Sequence, residues 1–370
     1  MLAALNVDGL LVTHPPNLRY LSGFDGSMGA LVLTAEDCRL IVDGRYITAA
    51  RDRVSASAEL RHVTVELAPQ TLEEGIAAAC AGLTASVIGV EGAVMTLERF
   101  ARLEALVKRR MVSTQRVIER ARLVKDDVEV GILREAGRML SVAAADALAA
   151  VRPGRQEIEV AADVELALRK AGFSKPAFET IVASGANSAL PHARPGSRVL
   201  GDGDGVVLDF GGVYDGYCVD LTRTVQLGPA SVSFSRIFGA VRDAHAAAIA
   251  AVRPGVQASS IDTAAREALA AHGLAEAFVH GTGHGLGLEV HEEPRVTRPG
   301  NGRDELLRPG MVFTIEPGAY VAGLGGVRIE DDVLVTATGC EVLTTVPIDL
   351  TGYGAAAETH GGRRHDPAGE

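Results

Sequence analysis

The chain has 370 residues, of which 47% are hydrophobic and 22% charged, a length and composition that suggest two domains with buried cores. Its formal net charge of −11 argues against nucleic-acid and anionic-membrane partners, because no basic stripe offsets it. We find no signal peptide in Met1 to Val12 and no apolar run of membrane-spanning length, and we expect a cytoplasmic protein. The cysteines are far apart, which indicates neither a disulfide framework nor a zinc knuckle.

Residues 1–117 are predicted to form a smaller N-terminal α/β domain, because short β-like runs alternate with turns and helical patterns. The predicted elements are, in order, strands at 9–12, 20–24, 30–34 and 39–46, turns at Pro15-Pro16 and Asp43-Gly44, helices at 71–81 and 97–109, and a strand at 86–90.

Residues 118–350 are predicted to form a second domain that contains an internal repeat. A helical pattern opens at Asp126-Asp127 and stops at Pro153-Gly154. The hexapeptide AAVRPG at 149–154 recurs unchanged at 250–255. Two copies of a helix, an RPG turn and a helix, each followed by strands, are therefore expected. The tail 351–370, rich in Gly, Ala and charge, is predicted to be disordered.

The stretch 205–224 is typical of a β-hairpin that carries two carboxylates. If Asp215-Gly216 is the two-residue turn, Asp220 pairs with Gly211. Counting the pleat by twos then places Asp209 and Asp220 on one face as diagonal neighbours, about 7–8 Å apart at the backbone. Opposite Asp220 the glycine is expected to leave room for an ion. Two unpaired buried anions must titrate, find cations or hold a metal.

The second repeat continues into strands that supply two more acids. MVFTIEPG (311–318) ends in Glu316, and GGVRIEDDVLV (325–335) has Glu330 at its centre. Between the two halves, the glycine-rich segment HGTGHGLGLEVHE (280–292) contains three histidines and is not expected to be helical. A single such acid is more often a hydrogen-bonded buried carboxylate. Four carboxylates with one imidazole favour manganese, cobalt, iron or zinc.

Five motifs in order resemble the creatinase/methionine aminopeptidase ("pita-bread") superfamily, and within it the Xaa-Pro dipeptidases (prolidases) and aminopeptidases P. They are PHARPGSR, LDFGGVYDGYCVDLTRT, HGTGHGLGLEVHE, TIEPG and VRIEDDVLVT. NLRYLSGFDGSMGALVL and VDGRYITAAR resemble the N-terminal domain of the same group. The resemblance implies a duplicated, pseudo-two-fold α/β catalytic domain with two divalent metal ions, commonly manganese.

The resemblance also implies a role for each candidate ligand. Asp209 would bind one metal, His284 and Glu316 the other, and Asp220 and Glu330 would bridge both. Two such ions activate a bridging hydroxide and polarise the scissile carbonyl. Glu316 could also carry a proton from the nucleophile to the leaving nitrogen.

Three histidines and one arginine are the candidate substrate-binding residues. His192 and His291 match the substrate histidines of the group, which take part in catalysis, although a surface position for His192 is an alternative. His280 matches a further pocket histidine. Arg328 would share a strand face with Glu330 and orient it, or form a structural ion pair. Cys218 would lie near the metals or act as a small buried hydrophobe.

The predicted function is a metallo-exopeptidase that hydrolyses the bond before proline, as an Xaa-Pro dipeptidase or aminopeptidase P. Its substrates would be small peptides with proline at the second position, and the resemblance implies a homodimer. A methionine aminopeptidase-like enzyme is one alternative, although such enzymes usually lack the N-terminal domain. A metal-free creatinase-like or peptide-binding relative is another, although relatives of that kind have lost ligands that this chain retains.

Overall fold

The computed structural model describes residues 2–300 and 304–350, and the chain divides into two compact units, Met1–Arg122 and Leu123–Glu370. Within the described ranges, no helix is both long enough and apolar enough to cross a membrane. The tail 351–370, for which the sequence predicts disorder, lies outside the described residues.

The first unit is built on one mixed six-stranded sheet. Its elements are β1 (Gly9–Val12), α1 (Pro15–Ser22), β2 (Ala30–Thr34), β3 (Cys38–Val42), α2 (Ile47–Ser55), β4 (Val63–Leu67), α3 (Leu72–Ala81), β5 (Val87–Glu91), α4 (Leu97–Val107), β6 (Arg110–Thr114) and α5 (Val117–Arg122). The strand order is β4-β3-β2-β1-β5-β6. β2 runs antiparallel to β1 and β3, whereas the other neighbouring strands are parallel.

One segment of the first unit differs from the sequence prediction. The expected Pro15-Pro16 turn and the strand at 20–24 are wrong, because both prolines lie in the first turn of helix α1. Proline fits there, since the first N–H groups of a helix have no partner inside it. Gly23 ends the helix with φ 67°. Helix α2 and strands β4 and β6 were not predicted, whereas the helix at 71–81 is confirmed with a Thr71–Glu74 capping box.

The second unit contains two helix pairs and the strands that follow them. Its elements are α6 (Asp127–Ala149), α7 (Glu157–Ala171), β7 (Lys175–Pro176), β8 (Ile181–Ser184), β9 (Gly205–Tyr214), β10 (Tyr217–Gln226), α8 (Val232–Ala251), α9 (Ala258–Ala271), β11 (Gly283–Gly285), β12 (Glu292–Val296), β13 (Val312–Ile315), β14 (Gly318–Val321), β15 (Gly325–Arg328), β16 (Asp331–Val335) and β17 (Cys340–Val342). The first sheet has the strand order β10-β9-β7, and β8 also pairs with β9. The second sheet has the order β12-β11-β13-β16-β17. Strands β14 and β15 form a separate two-stranded sheet.

The internal repeat is confirmed by equivalent local structure in the two halves. Gly154 and Gly255 occupy the same turn position with φ 86° and 83°. Gln156 and Gln257 then precede α7 and α9 in extended conformation, and each forms an isolated antiparallel bridge with a later residue. Helix α6 packs mainly with β9 and β10 and helix α7 with β8, while α8 packs with β13, β14 and β15 and α9 with β12. Each half therefore has its own apolar core.

The predicted hairpin register is confirmed over its whole length. Asp220 pairs with Gly211, and both turn residues, Asp215 and Gly216, have positive φ as a two-residue hairpin turn requires. The expected space for an ion beside Gly211 is wrong. A Cβ there would lie 2.2 Å from the carbonyl oxygen of Val219 and 2.8 Å from the ring of Phe178, so the glycine admits protein atoms instead.

The second hairpin is interrupted where its two acids lie. β13 pairs with β16, and further along the same two segments β14 pairs with β15. Glu316 and Glu330 occupy the break between these pairings, so the predicted position of Glu330 at the centre of one continuous strand is wrong. The break frees the backbone N–H of Glu330 to donate to the carbonyl of Thr222 at 3.1 Å. This bridge joins the two hairpins.

Candidate metal centre

The second unit contains a cavity of about 650 Å³ that brings together every predicted site residue. Its floor is lined by carboxylates and its walls by histidines, and both come from the two halves of the repeat. The predicted residues that line it are Asp209, Asp220, His284, Glu316, Glu330, His192, His280, His291 and Arg328.

Three of the predicted ligands form a compact buried cluster. One ligand atom each from Asp220, His284 and Glu330 lie within 4.8 Å of one another. Oδ1 of Asp220 and Oε1 of Glu330 are buried and have no hydrogen-bond partner in the described structure. Buried carboxylate oxygens without donors are costly unless a cation binds them. The donor set therefore fits a divalent metal ion.

The remaining predicted ligands lie beside this cluster. Oε1 of Glu316 lies 3.5 Å from Nε2 of His284, and the backbone N–H of Glu316 donates to the carbonyl of Thr282 at 2.7 Å. Asp209 lies on β9 with 13% of its side chain exposed. Its carboxylate is close enough to Glu316 to raise the pKa of that acid.

The electrostatics of the protein without ions show why the site attracts cations. Burial, followed by the charges of neighbouring carboxylates, raises the pKa of Asp220 and of Glu330 well above the ordinary range. Burial also raises the pKa of Glu316 to about 7, against the opposing charge of Arg328. Burial lowers the pKa of His284 to about 3, which keeps its imidazole neutral and able to ligate.

Hydrogen bonds from outside the cavity hold two of these acids in place. Thr222 donates from Oγ1 to Oε2 of Glu330 at 2.5 Å. The backbone N–H of Asp220 donates to Oδ2 of Asp332 at 3.0 Å. The predicted hairpin register places Thr222 on the same strand face as Asp220 but assigned it no role, and Asp332 was not singled out from the sequence.

Arg328 forms its ion pair with Asp209 rather than with Glu330. Its Nη2 donates to Oδ2 of Asp209, and its Nη1 donates to the hydroxyl of Tyr320 at 2.7 Å. Its contact with Glu330, the residue that it is predicted to orient, is indirect. Nε donates to Oγ1 of Thr222 at 3.3 Å, and that hydroxyl donates to Glu330.

Hydrogen bonding selects one neutral tautomer of His280. Nδ1 lies 2.8 Å from the carbonyl oxygen of Gly281, which can only accept, so Nδ1 carries the proton. Nε2 lies 2.9 Å from the Tyr320 hydroxyl, which accepts from Arg328 and therefore donates to the imidazole. Burial also lowers the pKa of His280 to about 4. Both ring nitrogens are thus occupied by protein partners.

Tyr320 was missed by the sequence reasoning, although a signal for it exists. Gly318 pairs with Arg328 across β14 and β15, and Tyr320 is two residues further on the same face. A Cβ at Gly318 would lie 2.6 Å from the Tyr320 hydroxyl, so only glycine lets the tyrosine reach Arg328. The signal is therefore the glycine Gly318, which lies opposite Arg328 and is followed two residues later by Tyr320.

The other two histidines lie on the open side of the cavity. His192 is exposed, and the ring of His291 has its centroid 4.2 Å from that of His284. Burial, followed by the charge of Arg295, lowers the pKa of His291. Arg295 also lines the cavity but was not predicted as a site residue. Cys218 is buried in the apolar core, and burial raises the pKa of its thiol to about 12.

Family models match both parts of the chain. Residues 131–337 match metallopeptidase family M24, and residues 1–124 match the creatinase/prolidase N-terminal domain. The first match spans more than half of the chain. This protein therefore belongs to metallopeptidase family M24, and it is a peptidase.

Relatives are similar over almost their whole length. The Xaa-Pro dipeptidase of Pyrococcus horikoshii is 35% identical over 352 residues, which cover 93% of this chain and 95% of the relative. The structure of an Xaa-Pro dipeptidase from Bacillus anthracis matches with a TM-score of 0.90 and 34% identity, covering 94% of this chain and 96% of that one. An X-Pro aminopeptidase from Thermotoga maritima has a TM-score of 0.85 and 32% identity, with coverages of 93% and 97%.

Proposed function

We propose that this M24 metallopeptidase is a dinuclear exopeptidase that hydrolyses the peptide bond before proline. The observation that carries the proposal is the buried cluster of Asp220, His284 and Glu330, whose unpartnered carboxylate oxygens lie in the cavity of a chain similar to Xaa-Pro peptidases. Small peptides with proline at the second position are the proposed substrates.

Five side chains would hold the two ions. Asp209 would serve one ion and His284 and Glu316 the other, while Asp220 and Glu330, each with a buried oxygen that has no hydrogen-bond partner in the described structure, would be shared. When bound, such ions lower the pKa of water and polarise a carbonyl. Four carboxylates with one imidazole suit manganese, which we propose as the metal, with cobalt, zinc and iron as alternatives.

The remaining site residues act on the peptide itself. The carboxylates on the floor of the cavity attract the free amino group of the substrate. Glu316, whose Oε1 lies 3.5 Å from Nε2 of His284 in the cavity, would also pass a proton from the nucleophile to the leaving nitrogen. His192 and His291, on the open side, would contact the scissile carbonyl and the proline ring. His280 would form a wall of the pocket, because its nitrogens are bonded to Gly281 and Tyr320.

Two substrate lengths distinguish the two forms of the activity. The manganese-loaded enzyme is assayed with Xaa-Pro dipeptides, Xaa-Pro-Xaa tripeptides and matched peptides that carry alanine in place of proline. Cleavage of the dipeptides alone indicates a dipeptidase, whereas release of the first residue from tripeptides indicates an aminopeptidase P. Cleavage of Met-Ala peptides with none of the proline peptides would support the methionine aminopeptidase alternative and overturn the proposal.

Metal analysis separates the metalloenzyme from a metal-free relative. After manganese loading we expect about two ions per chain, as a two-metal hydrolase requires. The variant D220A should retain fewer ions and lose hydrolysis, because it removes a shared ligand. A content below about one ion per chain after loading would contradict the dinuclear centre.

Two further properties belong to the proposal. We propose a homodimer, which sedimentation equilibrium tests directly, and a cytoplasmic location, which fractionation of the source cells tests. A monomer at all concentrations, or recovery in another fraction, would contradict the respective statement without affecting the assignment of the site.

A further inference from the structure

A buried ion pair lies at the end of the segment that carries His284 and His291, outside the proposed metal ligands. Nζ of Lys125 lies 3.3 Å from Oε2 of Glu292, and the two side chains are only 1% and 7% exposed. A buried charge pair adds little net stability, but removing one partner leaves an uncompensated buried charge. The pair therefore contributes mainly by fixing the local geometry of the chain.

Glu292 closes the loop that ends in His291. It pairs with Gly285 across a bulge, so residues 286–291 form the loop between β11 and β12. Its Oε1 accepts from the backbone N–H of Glu289 at 3.0 Å, so the carboxylate ties the two sides of the loop together. A Cβ at Gly287 would lie 2.6 Å from Oε2 of Glu292, so the glycine lets this carboxylate enter the loop.

Both sides of this loop are tied to fixed parts of the second unit. The backbone N–H of Lys125 donates to the carbonyl of Gly310 at 2.8 Å, and Gly310 donates in turn to Val335 at the end of β16. On the other side, the N–H of Cys218 on β10 donates to the carbonyl of Gly287 at 2.7 Å. The ammonium group of Lys125 therefore has an anchored backbone from which to hold Glu292.

We propose that Lys125 is a positioning residue for His291, which it holds through Glu292. Without the ammonium group, the carboxylate of Glu292 loses the positive charge 3.3 Å from its Oε2, and its hydrogen bond from the N–H of Glu289 is held less firmly. The loop then loosens next to His291, whose ring lies against that of His284. This role rests on the proposed function, in which His291 contacts the substrate.

The test uses the full-length, manganese-loaded enzyme and an Xaa-Pro substrate. K125M removes the charge and keeps an unbranched side chain. We expect kcat to fall by about 10- to 100-fold, because small displacements of a positioned catalytic group lower the rate by such factors. The metal content should not change. K125R keeps the charge and should recover most of the rate. R134M breaks an exposed ion pair with Glu341 and serves as the matched control with wild-type activity.

A double-mutant cycle shows whether Lys125 acts through His291. We expect K125M/H291A to be no slower than H291A. If the lysine were merely structural, K125M would slow H291A by the same factor by which it slows the wild-type enzyme. That additivity, or wild-type activity of K125M, would overturn the proposal for Lys125 and leave the proposed function standing. If K125M fails to fold, E292Q enters the same cycle. Wild-type activity of H291A would instead remove His291 from the proposed function, and the role of Lys125 with it.

Discussion

Arg328 forms a buried ion pair with Asp209, and the same guanidinium group donates to the hydroxyl of Tyr320 at 2.7 Å. These contacts connect a proposed metal ligand on β9 to the tyrosine that selects the tautomer of His280. The planar guanidinium group of Arg328 thus positions both a carboxylate on the floor of the cavity and one of its walls.

Replacing Arg328 should abolish most of the activity even when the charge is kept. A lysine is a point charge without the fork that reaches Asp209 and Tyr320 together, so R328K should lower kcat/KM by about 100-fold, and R328M by more. Y320F, which leaves the ion pair with Asp209 intact, should have a smaller effect. Steady-state kinetics with an Xaa-Pro dipeptide measure these differences, and wild-type activity of R328K would contradict them.

Neutralising Asp220 should change stability in opposite directions with and without metal. In chelated protein, D220N removes one of several buried, mutually repelling carboxylates, so its Tm should exceed that of the wild type. In manganese-loaded protein the order should reverse, since ligand at about 100 times its Kd stabilises by about 2.7 kcal/mol. Calorimetry measures both conditions, and D202N, at an exposed acid, is the control that should change neither. The same order in both conditions would contradict the prediction.

The pH dependence of stability should reveal the raised pKa of Glu316 in chelated protein. Its pKa rises from 4.5 in the unfolded chain to about 7 in the folded one. The folded state therefore holds the extra proton, and this contribution is complete below pH 4.5 and is lost as the pH rises towards 7. Relative to E316Q, the wild type should lose stability across this window.

Comparison with E316Q is necessary because the histidines contribute with the opposite sign. Burial lowers the pKa of His280 to about 4 and that of His284 to about 3, so their contribution grows as the pH rises towards 6.5. The contribution of His280 is common to both proteins and cancels in the difference. The charge of Glu316 also helps to raise the pKa of Glu330 and of Asp220, so the difference reports Glu316 together with these coupled acids. Denaturant titrations at several pH values measure it, and a difference that is constant between pH 4.5 and 7 would contradict the raised pKa of Glu316.

Alanine at Gly211 should destabilise the hairpin and displace Asp220. The new Cβ would overlap the carbonyl oxygen of Val219 and approach the ring of Phe178, and overpacking of this kind costs about 1–3 kcal/mol. G239A is the matched control, because Gly239 lies in helix α8 with open space around it, and alanine there should stabilise by up to about 1 kcal/mol. Equal effects of the two variants in urea unfolding would contradict this account.

The hairpin register and the repeat could be predicted because both depend on local rules. Asp215-Gly216 specifies a two-residue turn, and the alternation of the pleat then places Asp209 and Asp220 on one face without reference to the rest of the chain. The repeated hexapeptide likewise encodes the same RPG turn twice. Where a local rule allows two readings, as for the prolines that open α1, the sequence prediction was wrong.

The sequence by itself therefore determined which acids and histidines are available, their order and the faces of their strands. Only the tertiary structure decided how they meet, because contacts between distant segments depend on how the two hairpins pack. Asp209 and Arg328 are 119 residues apart in the chain, and their ion pair, like the interruption that places Glu330 against Thr222, follows from that packing. The hydroxyl of Tyr320 finds Arg328 and His280 for the same reason.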